Sequence, residues 1–172
     1  MGWPADSPLL GQSGAMIVTC GDVVQADLQV LPGTFAGLMD LYERNYIGIR
    51  RLIPLMPPAA TCQISHIPAG LSLYLQVLER FRYTTELSLT YHFAREDGVT
   101  AEPDLRIRVY HDARLAEVMS AQLRRGLEFQ LGEETAWQTQ LSVRWHVNRF
   151  LYKWLNYCLH QGHRFGKGSQ IA

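Results

Sequence analysis

The chain has 172 residues, 47% hydrophobic and 19% charged, the proportions of an ordinary globular domain. Sixteen basic residues balance sixteen acidic ones, and a formal net charge of zero argues against a general binder of nucleic acids. The three cysteines are odd in number and far apart, which excludes a disulfide framework and favours reduced thiols in the cytoplasm, and no apolar run approaches the ~20 residues that span a bilayer.

The N-terminal region is rich in proline, glycine and small side chains. We therefore expect a loose leader over residues 1–26, with at most a short extended piece at 16–19, unless translation begins at Met16. A turn and the N-cap candidate Thr34 follow. From Phe35 to Ile53, apolar residues recur at steps of three and four, which predicts an amphipathic helix that Pro54 ends.

The middle of the chain alternates between apolar and polar residues, the pattern of half-buried strands. This alternation predicts strands at 61–67, 71–78, 87–93, 104–110 and 127–131. Residues 96–98 and Pro103 are expected to lie in a loop between two of them. Segment 114–122 fits either a helix or a strand, and the turn-like His111-Asp112-Ala113 before it favours a strand.

A wide apolar stripe from Val143 to Leu159 predicts a C-terminal helix that stops near Gly162. Asn148 lies close to this stripe and is expected to make a buried hydrogen bond to a strand. The order of a helix, about six strands and a second helix predicts an α+β fold. In this fold an antiparallel meander carries both helices on one face, within a single domain over residues 27–164 and ahead of a flexible tail at 165–172.

Several separated motifs resemble a known family. They are Leu41-Tyr-Glu-x-Asn45, Arg51-Leu-Ile-Pro54, Arg82-Tyr-Thr-Thr85, Val109-Tyr-His-Asp-Ala113, Ala116-Glu-Val118 and Asn148-Arg-Phe-Leu-x-x-Trp-Leu-x-x-Cys-Leu-x-x-Gly162. Over roughly residues 27–162 the chain resembles the YqiB-like family, a bacterial domain of unknown function. The resemblance carries over no activity, ligand or catalytic residue.

The chain departs from the family pattern just before the last helix. The family usually has an Asp-Glu-Lys triplet there, and the corresponding residues of this chain are Ser142-Val143-Arg144. If the two missing carboxylates acted in a shared chemistry, this chain would lack it. If they only cap the helix, Ser142 could serve as a milder cap.

Tyr110, His111, Asp112 and Glu117 form the densest group of chemically able side chains in the sequence. A histidine beside carboxylates can act as a general base or hold a metal, which makes His111, Asp112 and Glu117 the candidate catalytic residues. The structural alternative is a turn, because adjacent strand residues point to opposite faces and a turn Asp commonly bonds its own backbone.

A second candidate site consists of arginines and tyrosines that could share the polar face of the sheet. Its ligand-binding candidates are Arg80, Arg82, Tyr83, Arg106, Arg108 and Tyr110, with Tyr74 nearby. Guanidinium groups suit phosphate or carboxylate, and tyrosine rings can stack on a base. The structural alternative is a solvated sheet face whose long side chains cover apolar surface.

The sequence has no Gly-x-Gly-x-x-Gly, Walker or Gly-x-Ser-x-Gly motif, which disfavours dinucleotide-dependent and P-loop enzymes. We expect no cofactor and no metal site. The first hypothesis is a non-enzymatic cytoplasmic module that binds a small anionic or nucleotide-like ligand, or a protein partner, on its open sheet face. The alternatives are a hydrolase of a nucleotide-like substrate that uses His111 and a weak nucleic-acid binder; no membrane association is expected, and a homodimer stays open.

Overall fold

The computed structural model describes residues 33–68, 70–95, 98–123, 127–130, 137–166 and 170–171. The expected leader at 1–26 lies outside the described residues. Within the described residues, two helices and seven strands follow one another. They are α1 (Phe35–Leu52), β1 (Thr61–Ser65), β2 (Leu73–Arg80), β3 (Thr84–Arg95), β4 (Gly98–Tyr110), β5 (Leu115–Leu123), β6 (Leu127–Gln130), α2 (Trp137–His160) and β7 (Gln170–Ile171).

The strands form one antiparallel sheet in the order β6-β5-β4-β3-β2-β1-β7. Six consecutive strands therefore make the predicted meander, and the two-residue β7 adds to the far side of β1. The α+β prediction is confirmed. Segment 114–122, which the sequence left ambiguous, is strand β5 as favoured.

One face of the sheet is buried beneath both helices, because alternate strand residues are large and apolar. These inward residues are Leu73, Leu75 and Val77 of β2, Leu87, Leu89 and Tyr91 of β3, and Leu105, Ile107 and Val109 of β4. All of them except Val77 pack in one core with Ile49 and Leu52 of α1 and with Leu151 and Leu155 of α2. The other face, which we call the open face, carries the alternating polar residues.

The start of α1 and the end of α2 form as the sequence predicts. Thr34 caps α1, since its side chain accepts a hydrogen bond of 3.1 Å from the Gly37 amide. At the end of α2, Gly162 adopts a positive φ of 92°. The amides of Gly162 and His163 then donate to the carbonyls of Leu159 and Cys158, the two bonds of a Schellman motif.

Two local expectations were wrong. Pro103 does not lie in a loop, because β4 runs without a break from Gly98 to Tyr110. Ser142 cannot cap α2, because the helix begins five residues earlier, at Trp137. The backbone carbonyl of Ser142 instead accepts a hydrogen bond of 2.7 Å from Nδ1 of the His146 ring.

The segment after α2 returns to the core. Phe165, where the flexible tail was expected to begin, is completely buried. Its backbone amide donates to the Leu52 carbonyl at the end of α1, at 2.8 Å. This contact fixes the C-terminal end of α1, next to the cleft described below.

Candidate functional site

A cleft of about 620 Å³ lies at the C-terminal end of α1. We call it the arginine cleft. Its polar lining consists of Arg50, Arg80, Arg82 and His111, and its apolar lining of Pro54, Leu55, Met56 and Phe81. These residues come from α1, the segment after it, the β2–β3 turn and the β4–β5 turn, so the fold rather than a local motif assembles the site.

A register shift brings Arg80 into the cleft. The pairing of β2 with β3 slips between Val77 and Glu79, and Arg80 then stands opposite Thr85, which is fully buried on the helix side. Arg80 therefore lies on the helix side and not on the open face, where the alternation of β2 had placed it. Its guanidinium donates to the backbone carbonyls of Met56 and Pro57 at 2.9 and 3.0 Å.

The two turns beside the cleft are tied together by the backbone. The amide of His111 donates to the carbonyl of Tyr83 at 2.8 Å, and the Phe81 amide donates to Thr84 within the first turn. The Tyr83 ring lies 5.0 Å from the centre of the Arg82 guanidinium, close enough for a cation–π contact. His111 and Arg82 are thereby held at adjacent positions on the rim.

The cleft is electrostatically one-sided. Among the described residues that line it, none is Asp or Glu. Arg80 is bonded to neutral carbonyls, and neither Arg50 nor Arg82 forms an ion pair with a carboxylate of the described ranges. Arg50 also occupies the last turn of α1, where the helix dipole favours a cation. Three positive charges thus face a common space, and no ion pair among the described residues neutralises them.

The positive charges of the cleft act on His111. Burial first, and then the charges of Arg50 and Arg80, lower the pKa of its imidazole below the ordinary value, although exposed Asp112 opposes the effect. The His111 Nε2 atom shares a hydrogen bond of 2.8 Å with the Thr85 hydroxyl. In the described part of the chain, no hydrogen bond joins the His111 ring to Asp112 or Glu117, the carboxylates proposed to act with it.

The other candidate residues form a separate network on the open face around buried Glu86. One Glu86 oxygen accepts from Arg106 at 2.6 and 3.0 Å, and the other accepts two hydrogen bonds from Arg108. Burial alone would raise the pKa of Glu86, but the two arginines outweigh it and hold this pKa below its usual value. Arg106 and Arg108 therefore have only their outer N–H groups left for a ligand.

Glu117 extends the open-face network towards the helices. Its carboxylate accepts from the Tyr110 hydroxyl at 2.8 Å and from Arg144 of α2 at 3.3 Å. Burial, and then the nearby Glu117 charge, raise the pKa of Tyr42 on α1. Arg144 thus links α2 to β5.

The structure therefore divides the predicted residues into two groups. It brings Arg80, Arg82 and His111 together in the arginine cleft and places Tyr83 at its rim. Arg106, Arg108, Tyr110 and Glu117 belong to the open-face network, while Asp112 is exposed in the β4–β5 turn. Sequence reasoning missed Arg50, whose one available signal was its place one turn before Pro54.

No three residues among the His, Cys, Asp and Glu side chains of the described ranges lie close enough together to hold a metal ion. Neither helix, as far as it is described, combines the length and hydropathy needed to cross a bilayer.

Comparison with known proteins connects the chain to one family. A family model described as "Protein of unknown function (DUF1249)" matches residues 48–164, which include the whole arginine cleft. "Uncharacterized protein YqiB" of Escherichia coli strain K12 and that of the O157:H7 strain are each 32% identical over 129 residues, which cover 74% of this chain and 90% of theirs. No solved structure matches. The chain belongs to the YqiB-like family of proteins of unknown function, DUF1249.

Proposed function

We propose that this chain is a binding module for a small anionic ligand and that the ligand is held in the arginine cleft. One observation carries the proposal: Arg50, Arg80, Arg82 and His111 converge on a single cleft whose described lining has no acidic residue. Unpaired guanidinium groups that share a concave surface suit a phosphate or carboxylate group. The site thus lies at the end of the sheet and not on the open face, where Glu86 already occupies Arg106 and Arg108.

In the described residues the His111 ring bonds Thr85 and neither Asp112 nor Glu117, which favours binding over hydrolysis. A histidine that acts as a general base needs a free ring nitrogen within reach of a substrate proton. Here the His111 Nε2 atom already shares a hydrogen bond with Thr85. The function that we propose is therefore binding without hydrolysis.

The proposal is tested by titrating the full-length protein with inorganic pyrophosphate in a calorimeter at low salt. We expect saturable binding that weakens as the salt concentration rises, because charge–charge attraction is screened. Arg50→Gln and Arg82→Gln should each weaken binding by about tenfold, the effect of losing one charge-assisted hydrogen bond of about 1.5 kcal/mol. Both variants should keep the thermal midpoint of the parent, since neither arginine pairs with a described carboxylate.

Two control variants make this test specific. Arg149→Gln removes an exposed arginine of α2 outside the cleft and should leave the dissociation constant unchanged. Arg106→Gln removes a cation of the open-face network and should also leave it unchanged. A wild-type protein that does not bind pyrophosphate, or a loss of binding with Arg106→Gln but not with Arg50→Gln, would overturn the proposal.

Binding should also tighten as the pH falls. The free cleft holds the pKa of His111 below its ordinary value, and a bound anion would raise this pKa by offsetting Arg50 and Arg80. The complex then takes up a proton, so affinity rises as the pH falls through the pKa of the bound state and levels off below that of the free state. The charged groups that act on His111 are Arg50, Arg80 and Asp112, and Asp112 is exposed in the β4–β5 turn.

Sulfate is the suitable probe for this pH dependence, because its charge does not change near neutrality. The dissociation constant for sulfate should decrease between about pH 8 and pH 5.5 in the wild type. In His111→Gln it should stay level over the same interval. An equal slope in both proteins would assign the proton to another group.

A further inference from the structure

The arginine cleft has a second, apolar wall that an anion alone would leave uncovered. Leu55 is 62% exposed and Phe81 is 63% exposed, and both line the cleft together with Pro54 and Met56. Leu55 follows α1, and Phe81 lies at the tip of the β2–β3 turn. A ligand that removes such apolar side chains from water lowers the free energy of the complex.

The position of Phe81 joins the two walls. Its neighbours in sequence are Arg80 and Arg82, so one turn supplies both the cations and an exposed aromatic ring. The cleft volume of about 620 Å³ falls within the range of pockets that enclose a small organic molecule. Such a molecule is far larger than a phosphate ion. An apolar body and an anionic group in one molecule would match both walls of this cleft.

We infer that the ligand is an aromatic phosphate, a molecule in which a flat ring packs on Phe81 while its phosphate pairs with Arg50 and Arg82. A nucleoside monophosphate has this chemistry. The inference rests on the proposed function, because it assigns a body to the anion bound there. The ring is favoured over an alkyl chain because Phe81 offers an exposed face on which a planar group stacks.

The test compares ligands that share a phosphate and differ in the body, each titrated into the full-length protein. Adenosine monophosphate should bind at least about tenfold more tightly than ribose 5-phosphate, since stacking on an aromatic side chain contributes this much. Phe81→Ala should abolish the difference and leave the dissociation constant of ribose 5-phosphate unchanged. Val99→Ala, which removes another exposed apolar side chain at the start of β4 and outside the cleft, should retain the difference.

The outcomes separate this inference from the proposed function. Equal affinities for the two ligands in the wild type, with ribose 5-phosphate still weakened by Arg50→Gln, would overturn the aromatic body and leave the anion site standing. Tighter binding of hexyl phosphate than of adenosine monophosphate would replace the ring with an alkyl chain and overturn the inference as well. If neither phosphate nor pyrophosphate binds, the proposed function itself fails.

Discussion

Replacing Phe165 with Ala is expected to lower the free energy of unfolding by about 3–5 kcal/mol. The ring is completely buried and belongs to the main core, together with Leu52 and Cys158. Truncation removes apolar contact and leaves a cavity that the surrounding helices can fill only in part. Urea denaturation followed by circular dichroism measures the change.

Arg164→Ala is the matched control, because Arg164 is the exposed neighbour and its only described bond is made by its backbone amide. Its effect should stay within about 0.5 kcal/mol. If Phe165→Ala also changed stability by less than about 1 kcal/mol, the ring would not be buried in solution. The segment after Gly162 would then be as loose as its composition suggests.

Phe165 also makes a contact that the sequence did not predict. The last residues are small and polar, and one aromatic residue among them carries no periodicity. Its burial depends on Leu52, more than a hundred residues earlier, whose carbonyl accepts the Phe165 amide. A contact of this range leaves no trace in a local window.

The strands were predictable where only one face is buried. In β2, β3 and β4 the inward residues are apolar and their neighbours polar, so the period of two is visible in the sequence. In β5, by contrast, Ala116, Glu117 and Val118 are all buried. One side of this strand faces the core, and residues of α2 reach the strand as well, where Asn148 bonds the Val118 amide and Arg144 bonds Glu117. Burial on both faces removes the alternation, which is why this segment also resembled a helix.

The candidate site was only half predictable. Arg80 and Arg82 were predicted because arginines and tyrosines could share one face of the sheet, and His111 because it lies beside carboxylates in the sequence. Their assignment to the open face failed for Arg80, since a register shift inverts its side and nothing in the sequence marks the shift. Arg50 joins them only through the packing of α1 on the sheet.

Replacing Asn148 with Ala is the other substitution expected to have a large effect, about 2–4 kcal/mol of stability. Asn148 is fully buried in α2, and its side-chain oxygen accepts from the Val118 amide at 3.0 Å and from the Asn45 amide group at 3.3 Å. This is the buried bond to a strand that the sequence predicted. In the described residues β6 pairs only with positions 120–123 of β5, so the Val118 amide depends on Asn148 for its partner.

The size of the effect follows from what truncation leaves behind. Without the Asn148 side-chain oxygen, the buried Val118 amide loses its acceptor, and the Asn45 amide group keeps only its bond of 3.3 Å to the Asn148 backbone carbonyl. A buried donor left without an acceptor costs about 1–3 kcal/mol, and the weakened Asn45 contact adds to this cost. Asn148→Leu separates this cost from that of a cavity, because leucine refills the volume but accepts no hydrogen bond. We therefore expect Leu to be nearly as destabilising as Ala.

Asn156→Ala provides the matched control within the same helix. Asn156 donates to the carbonyl four residues before it, as Asn148 does, but it is exposed and bonds no strand. Its loss should cost at most about 0.5 kcal/mol. Hydrogen exchange gives a second measurement: the Val118 amide should exchange faster in Asn148→Ala than in Asn156→Ala, because only the former removes its acceptor. If Asn148→Leu restored full stability, packing rather than hydrogen bonding would hold α2 against β5.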